Sequence, residues 1–385
     1  MDAQGALAAR ATAAGAGTAP DGAPAPLLHA DVAGYALARE LVAAARIVDG
    51  DLIVRNLSSR NRVYALESRD GPSWLLKQGA GQTGARMVAN EARAYATLYA
   101  LEEPIRQYLA PWRGYDPDRG VMALELLENA VSLRALHQRP GSPPVEPAHR
   151  LGHALGLVHR STMLAETHPA GGWLPPGLLL HRPGVELLHE GSAAAIELVK
   201  TIQRTRGFPE RLDELRLQWQ ARAFVHLDLK WDNCLAWSED HDRLALIDWE
   251  AAGIGDPCWD IGSALSSYLS LWISSVPIAG QTPPERFALL AERPLSDMQP
   301  AIRACWEGYL DGLGLAPAAT DGWLLHAVRL AAARLVLSAF ETAQVSIQLT
   351  GASMLHLQLA LNMLERPHEA AVHLFGIRLR GTSAR

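Results

Sequence analysis

Phe224-Val-His226-Leu-Asp228-Leu-Lys230-Trp-Asp232-Asn233-Cys-Leu235, followed by Leu246-Ile-Asp248-Trp-Glu250, is the stretch in which polar chemistry concentrates between apolar runs. Cys234 to Trp237 and Leu244 to Ile247 read as two short strands around the polar turn Ser238 to Asp242. Such a hairpin brings Asp228, Asn233 and Asp248 to its open end. Two carboxylates and an amide there are what a magnesium-nucleotide site needs: hard oxygen ligands for the ion, and one carboxylate kept for a substrate hydroxyl. The plainer reading, a polar loop before a hairpin and a capping Asp after it, leaves the H-x-D-x-x-x-x-N spacing and the downstream I-D pair as coincidences.

Toward the N-terminus, Asp51 to Leu57, Val63 to Ser68 and Ser73 to Gln78 read as strands of a small antiparallel sheet, with Arg69-Asp70-Gly71-Pro72 turning the chain between the last two. Ala85 to Leu101 carries Met87, Ala94, Leu98 and Leu101 at helical spacing. Two more strands follow, Leu109 to Tyr115 and Val121 to Leu127. Past Glu128 the texture becomes helical, beginning with His149 to Thr162 and continuing through Ser192 to Arg206 and Pro209 to Ala221; from Asp260 onward it is mostly helical. The expected organisation is a flexible Ala-, Gly- and Pro-rich tail over residues 1–30, an N-terminal lobe over 31–128 and a C-terminal lobe over 129–385.

The central motif resembles the catalytic loop and metal-binding segment of the aminoglycoside phosphotransferase and choline kinase-like superfamily, relatives of the protein kinases. Gly255-Asp256-Pro257-Cys-Trp-Asp260 matches that family's G-D-P-x-x-D, and Met122 to Leu133 looks like its hinge, so the resemblance covers roughly Asp51 to Tyr268. It implies an α+β, two-lobed protein-kinase-like fold, with a small antiparallel-sheet N-lobe and a larger, mainly helical C-lobe. By the same resemblance the activity is ATP- and magnesium-dependent phosphoryl transfer to a hydroxyl. Adenine would bond the backbone of Glu125 and Leu127, Lys77 oriented by Glu91 would hold phosphates, and Asn233 and Asp248 would hold magnesium. Asp228 would orient the acceptor hydroxyl and take its proton, with Lys230 neutralising the transferring group. His226, Asp256 and Asp260 would anchor and brace the loop. Leu227 departs from the family, which has glycine between the His and the Asp. The loop Asn56 to Val63 also lacks the glycines of a nucleotide loop, leaving Ser58 and Ser59 as phosphate-binding candidates.

Lysine usage supports this assignment from the residues alone. The chain has 32 arginines and three lysines, Lys77, Lys200 and Lys230, and two of the three fall on motif positions. A guanidinium is too broad and flat to replace a compact ammonium. Glu91 lies on the apolar face of its helix, where an unpaired carboxylate is costly to bury, and a lysine from the neighbouring strand removes that cost. Gly79-Ala-Gly81-Gln-Thr-Gly84 fits the G-x-G-x-x-G of a dinucleotide fold. Glu102 and Glu103 end a helix where that fold needs a second strand, so a link between lysine strand and glutamate helix is the better reading.

Composition narrows the partners. A net charge of −6 supplies no basic field for nucleic acid. Three cysteines at irregular gaps, Cys234, Cys258 and Cys305, fit neither a disulfide framework nor a zinc site, which suits a reducing cytoplasm. Ile261 to Pro284 carries no charge, yet its six serines and Pro277 point to a buried helix rather than a membrane span. Ile261 to Arg385 balances nine acidic against nine basic residues. That balance favours a neutral small molecule, or a Ser or Thr of a biosynthetic precursor peptide, over an aminoglycoside as acceptor. The rival from another class is a non-catalytic pseudokinase that binds nucleotide or a partner protein.

Overall fold

In the computed structural model, residues 24–69, 71–101, 103–165, 174–185, 191–237, 243–277 and 290–380 are described. Most of the expected tail, residues 1–23, and the turn 238–242 lie outside them. The chain forms two units, one running to Asn129 and including Leu246–Ala251, the other taking Ala130–Ala245 and Ala252–Arg385.

The first unit is built on a five-stranded sheet of order β1-β2-β3-β5-β4, made of β1 (Leu52–Asn56), β2 (Arg62–Ser68), β3 (Trp74–Gln78), β4 (Trp112–Asp116) and β5 (Val121–Glu125). All four pairings are antiparallel. Side chains alternate between the faces, and that alternation assigns the chemistry. Tyr64, Leu66, Leu76, Val121 and Ala123 form a core with Leu27, Val32, Ala36 and Leu41 from the segment preceding the sheet. Gln78 shares a period with Leu76 and binds this same segment, accepting the Leu27 amide at 2.7 Å and donating to the Ala25 carbonyl at 3.0 Å. Lys77, one residue earlier, therefore faces the other side. The tail predicted to reach residue 30 is corrected here: Leu27 is fully buried, because a sheet face needs an apolar cover and the helices Val32–Ala38 (α1) and Ala44–Val48 (α2) bring the preceding chain onto it.

The G-x-G-x-x-G stretch is the turn from β3 into the helix Gly81–Tyr99 (α3), which is followed by the short helix Glu103–Arg106 (α4). A Cβ on Gly79 would stand 2.2 Å from the backbone of Gly84 and Ala85, and Gly81 has φ +65°, so tight reversal accounts for both glycines. On α3, Val88, Glu91, Ala92, Tyr95 and Leu98 are buried. Leu246–Ala251 joins this unit through Leu246, whose amide donates to the Tyr108 carbonyl at 2.8 Å, and through Asn90 of α3, whose side chain donates to the Glu250 carbonyl at 2.8 Å.

The second unit is mainly helical. Strand β6 (Ala130–Ser132) leads into α5 (Leu133–His137), α6 (Val145–Ser161), α7 (Ala193–Arg204) and α8 (Phe208–Leu217). Strands β7 (Ala223–Val225), β8 (Cys234–Trp237), β9 (Leu244–Leu246) and β10 (Gly253–Gly255) make two small sheets, β6-β8-β9 and β10-β7. Helices α9 (Pro257–Ser274), α10 (Leu295–Leu313), α11 (Thr320–Gln344), α12 (Gly351–Glu365) and α13 (Pro367–His373) complete it. Within the uncharged stretch after Asp260, residues 261–274 belong to the buried helix α9, with Ile261, Leu265, Tyr268 and Leu269 fully enclosed, and residues 278–284 lie outside the described residues. All three cysteines are free and buried. Among the described residues, α11 is long and apolar enough to cross a membrane, and 61% of its most apolar window is buried within the fold.

Candidate active site

In the first unit, Lys77 is the centre of a buried ion cluster. Its Nζ lies 2.6 Å from Glu91 Oε2, 2.6 Å from Asp248 Oδ1 and 3.4 Å from Glu250 Oε2. Burial opposes the charge on Lys77, but Glu91 and Asp248 outweigh it and hold the ammonium above the ordinary lysine range. Burial also pushes the Glu91 carboxyl up to about 7, against the pull of Lys77. Three carboxylates share this one cation, with oxygens within 4.8 Å of one another, so the cluster is short of positive charge. Asp248 is about a third exposed and engages Lys77 through one oxygen only, leaving Oδ2 for a further cation. Its φ of +65° turns the chain sharply there.

The β1–β2 loop is braced from within. Ser58 donates its amide to Asn56 Oδ1 at 2.9 Å, and its hydroxyl accepts the Val63 amide at 3.0 Å. The Ser59 amide donates to the Asn61 carbonyl at 3.2 Å. Ser58 thus closes the turn between the two strands.

At the end of β5, the Glu125 amide donates to the Pro111 carbonyl at 2.8 Å, and the Leu126 amide donates to Ser73 at 2.8 Å. Pro111 has no N–H with which to return the bond. The Glu125 carbonyl is thereby left without its ladder partner, while its amide is spent.

In the second unit, the loop after β7 carries Asp228, Lys230 and Asn233. Lys230 Nζ lies 2.8 Å from Asp228 Oδ2, and both side chains are about a third exposed. Asn233 donates its Nδ2 to the Asp228 carbonyl at 2.9 Å. That bond fixes which end of the amide is nitrogen and leaves Oδ1 as the free hard oxygen. Trp231, between them, is stacked on His137 of α5 at 4.2 Å, with Tyr268 of α9 edge-on to both rings. Burial pushes the His137 imidazole down to about 4, so this ring packs as a neutral group.

Leu227 adopts φ +66°, the left-handed region that glycine occupies without strain. The conformation is over-determined by its neighbours. Asp260 accepts the His226 amide at 2.6 Å and the Leu227 amide at 3.1 Å, while Trp259 Nε1 donates to the Leu227 carbonyl at 2.9 Å. His159 of α6 approaches the same Asp260 at 3.3 Å. Asp256 caps α9 through the Cys258 amide at 3.0 Å, accepts the Gln220 amide at 2.9 Å and meets His326 of α11 at 2.7 Å. His226 itself is fully buried. Left-handed backbone costs an L-residue about 1–2 kcal/mol. Leu227→Gly is therefore expected to be more stable than Leu227→Ala by about 1 kcal/mol, the reverse of the usual order. Urea denaturation of the two variants checks this, and a more stable Ala variant would count against it.

Several residues of these clusters carry no role in the sequence motif. Glu250 reaches Lys77 from two positions beyond Asp248, where the repeated acid is the only signal. His159, His326 and His137 come from helices far along the chain. Trp272 and Trp306 are buried, and Trp323 is half-buried.

A small antiparallel-sheet unit carrying a buried Lys–Glu pair, together with a helical unit carrying an H-x-D-x-x-x-x-N loop, defines a protein-kinase-like phosphotransferase fold. Residues 53–282 match the model of the phosphotransferase enzyme family, and the chain belongs to that family. Plasmodium vivax ethanolamine kinase has the same fold, with a TM-score of 0.53 at 11% identity over 87% of this chain and 88% of that one. A choline/ethanolamine kinase family protein from Mesorhizobium loti is 18% identical, with a TM-score of 0.46 over 88% of this chain and 96% of that one. A macrolide 2′-phosphotransferase from Brachybacterium faecium is 17% identical, with a TM-score of 0.41 over 88% and 99%. No curated protein matches the sequence.

Proposed function

We propose that this phosphotransferase moves the terminal phosphoryl group of ATP, with magnesium, to a hydroxyl on a neutral small molecule or on a Ser or Thr of a biosynthetic precursor peptide. The observation that carries the reading is Lys77, held at 2.6 Å by both Glu91 and Asp248. An ammonium fixed in this way is set to meet phosphate oxygens without reorganising. The Glu125 carbonyl and the Leu127 amide would read adenine. Asp248, through its unengaged oxygen, and Asn233, through Oδ1, have the hard donors that magnesium takes. When bound, the ion spreads the charge of the transferring phosphoryl group. Asp228 accepts the proton of the acceptor hydroxyl as its oxygen bonds phosphorus and the bond to ADP breaks. Lys230, paired with Asp228, neutralises charge on the transferring oxygens.

The neutral-acceptor part of the reading rests on the even charge of the last 125 residues, nine acids against nine bases, which supplies no field for a polycation. Incubation with magnesium-ATP and a panel of aminoglycosides, macrolides, small alcohols and co-encoded peptides tests it, with mass spectrometry reading one added phosphate. Saturable modification of kanamycin-like compounds alone would overturn the acceptor assignment and leave the kinase reading standing. Turnover on no acceptor, with nucleotide still bound, would favour a pseudokinase.

For the ion, Asp248→Ala is expected to remove the magnesium dependence of nucleotide affinity, since it deletes the carboxylate whose second oxygen Lys77 leaves unengaged. Asp256→Ala should lower stability instead, because its oxygens hold two amides and His326. Calorimetry with and without magnesium separates the two. Unchanged magnesium linkage in Asp248→Ala would require the ion to be placed elsewhere.

A further inference from the structure

A cavity of about 480 Å³ lies wholly within the helical unit, between α10, the start of α11 and the chain after α13. None of the residues assigned above to nucleotide, metal or acceptor lines it. Its inner wall is apolar, with Trp306, Leu324 and Ile377 all buried. Its polar lining is dominated by three arginines, Arg303, Arg378 and Arg380.

Those arginines differ from others in this chain. Arg39 pairs with Asp116, Arg46 with Asp51 and Arg334 with Glu341. Arg303, Arg378 and Arg380 have no carboxylate within ion-pair distance among the described residues. Two acids do line the cavity, Asp321 and Glu307. Asp321 accepts the Arg380 backbone amide at 2.9 Å and so builds the wall, while Glu307 is exposed. The wall is tied down at two further points: the Ile377 amide donates to Ala371 at 2.9 Å, and Gln299 donates to the His373 carbonyl at 3.0 Å. Gly376, at φ +68°, lets this segment run close over α10, where a Cβ would stand 3.0 Å from an Arg303 guanidinium nitrogen.

We propose that this cavity is a second binding site, for a small organic anion with an apolar body and a carboxylate or phosphate head. The head sits among the three guanidinium groups, whose planar forks match both oxyanions. The body lies on Trp306, Leu324 and Ile377, as in pockets that combine an apolar lining with a few placed polar groups. The site is independent of the catalytic assignment and binds with or without nucleotide.

The test uses 1-naphthyl phosphate and 1-naphthoate as probes, titrated into the full chain and read by calorimetry, with and without saturating AMP-PNP. Expected is saturable binding of at least one probe, one molecule per chain, unchanged by the nucleotide analogue. Arg378→Gln/Arg380→Gln should weaken it at least tenfold, and because both side chains are exposed, the thermal melt of that variant should match the parent. Arg303→Gln should weaken it separately. Absence of saturable binding by either probe, displacement by AMP-PNP, or full affinity in both arginine variants would each overturn the proposal.

Discussion

Asp228→Asn is expected to lower phosphoryl transfer by roughly 10² to 10⁴ while leaving nucleotide affinity nearly unchanged, the size of effect that belongs to a positioned general base. The substitution keeps the shape of the side chain and the backbone carbonyl that Asn233 grips at 2.9 Å, so the loop has no geometric reason to move. What is lost is the charge: an amide cannot take the acceptor proton, and Lys230, now 2.8 Å from a carboxylate oxygen, loses its ionic partner. Lys230 acts through the same pair, so the effects of Asp228→Asn and Lys230→Ala should combine to less than their sum. Steady-state kinetics on an accepted substrate, with calorimetry of nucleotide binding, check both statements. A variant that keeps more than half the parental rate would remove Asp228 from the reaction.

How much of this was readable depended on sequence distance. The meeting of Lys77 and Glu91 could be read because each obeys a local periodicity, one on a strand and one on an apolar helix face, and because lysine is so scarce here that its positions carry information. The strands of the first unit followed from their own composition. Glu250 was quoted with its motif yet carried no role, since nothing local says that a second acid will turn toward the same lysine. Asp256 and Asp260 were legible as braces only in outline. What they hold became visible once Gln220, His226 and Leu227 and the distant His159 and His326 were placed around them. The left-handed Leu227 was unreadable for a different reason: local propensity assigns that backbone to glycine, and only the bonds to Asp260 and Trp259 impose it on leucine. The arginine-lined cavity left no trace in the sequence, because its wall joins residues some seventy positions apart.

The largest stability effect is expected where two helices touch backbone to backbone. Gly152-His-Ala-Leu-Gly156 on α6 faces Gly308-Tyr-Leu-Asp-Gly312 on α10, small residues at four-residue spacing on both. A Cβ on Gly152 would stand 1.8 Å from the Cys305 carbonyl oxygen, and one on Gly308 would stand 2.1 Å from that of His149. Neither obstacle is the end of a flexible side chain, so the helices themselves must separate. That separation would also disturb His159, which reaches Asp260 and Tyr309 from α6. Overpacking usually costs about 1–3 kcal/mol, and with carbonyls as the obstacle Gly152→Ala should reach or exceed about 3 kcal/mol. For a unit of this size that is a fall in melting temperature of roughly 6 to 12 °C. Gly322→Ala, in the first turn of α11, is the matched comparison: nothing lies within 4 Å of its Cβ position, so the loss of unfolded-chain freedom should make it neutral or stabilising by up to about 1 kcal/mol. Thermal melts of the two single variants decide the matter. Equal melting temperatures would mean that α6 and α10 sit further apart than the backbone contacts at Gly152 and Gly308 require.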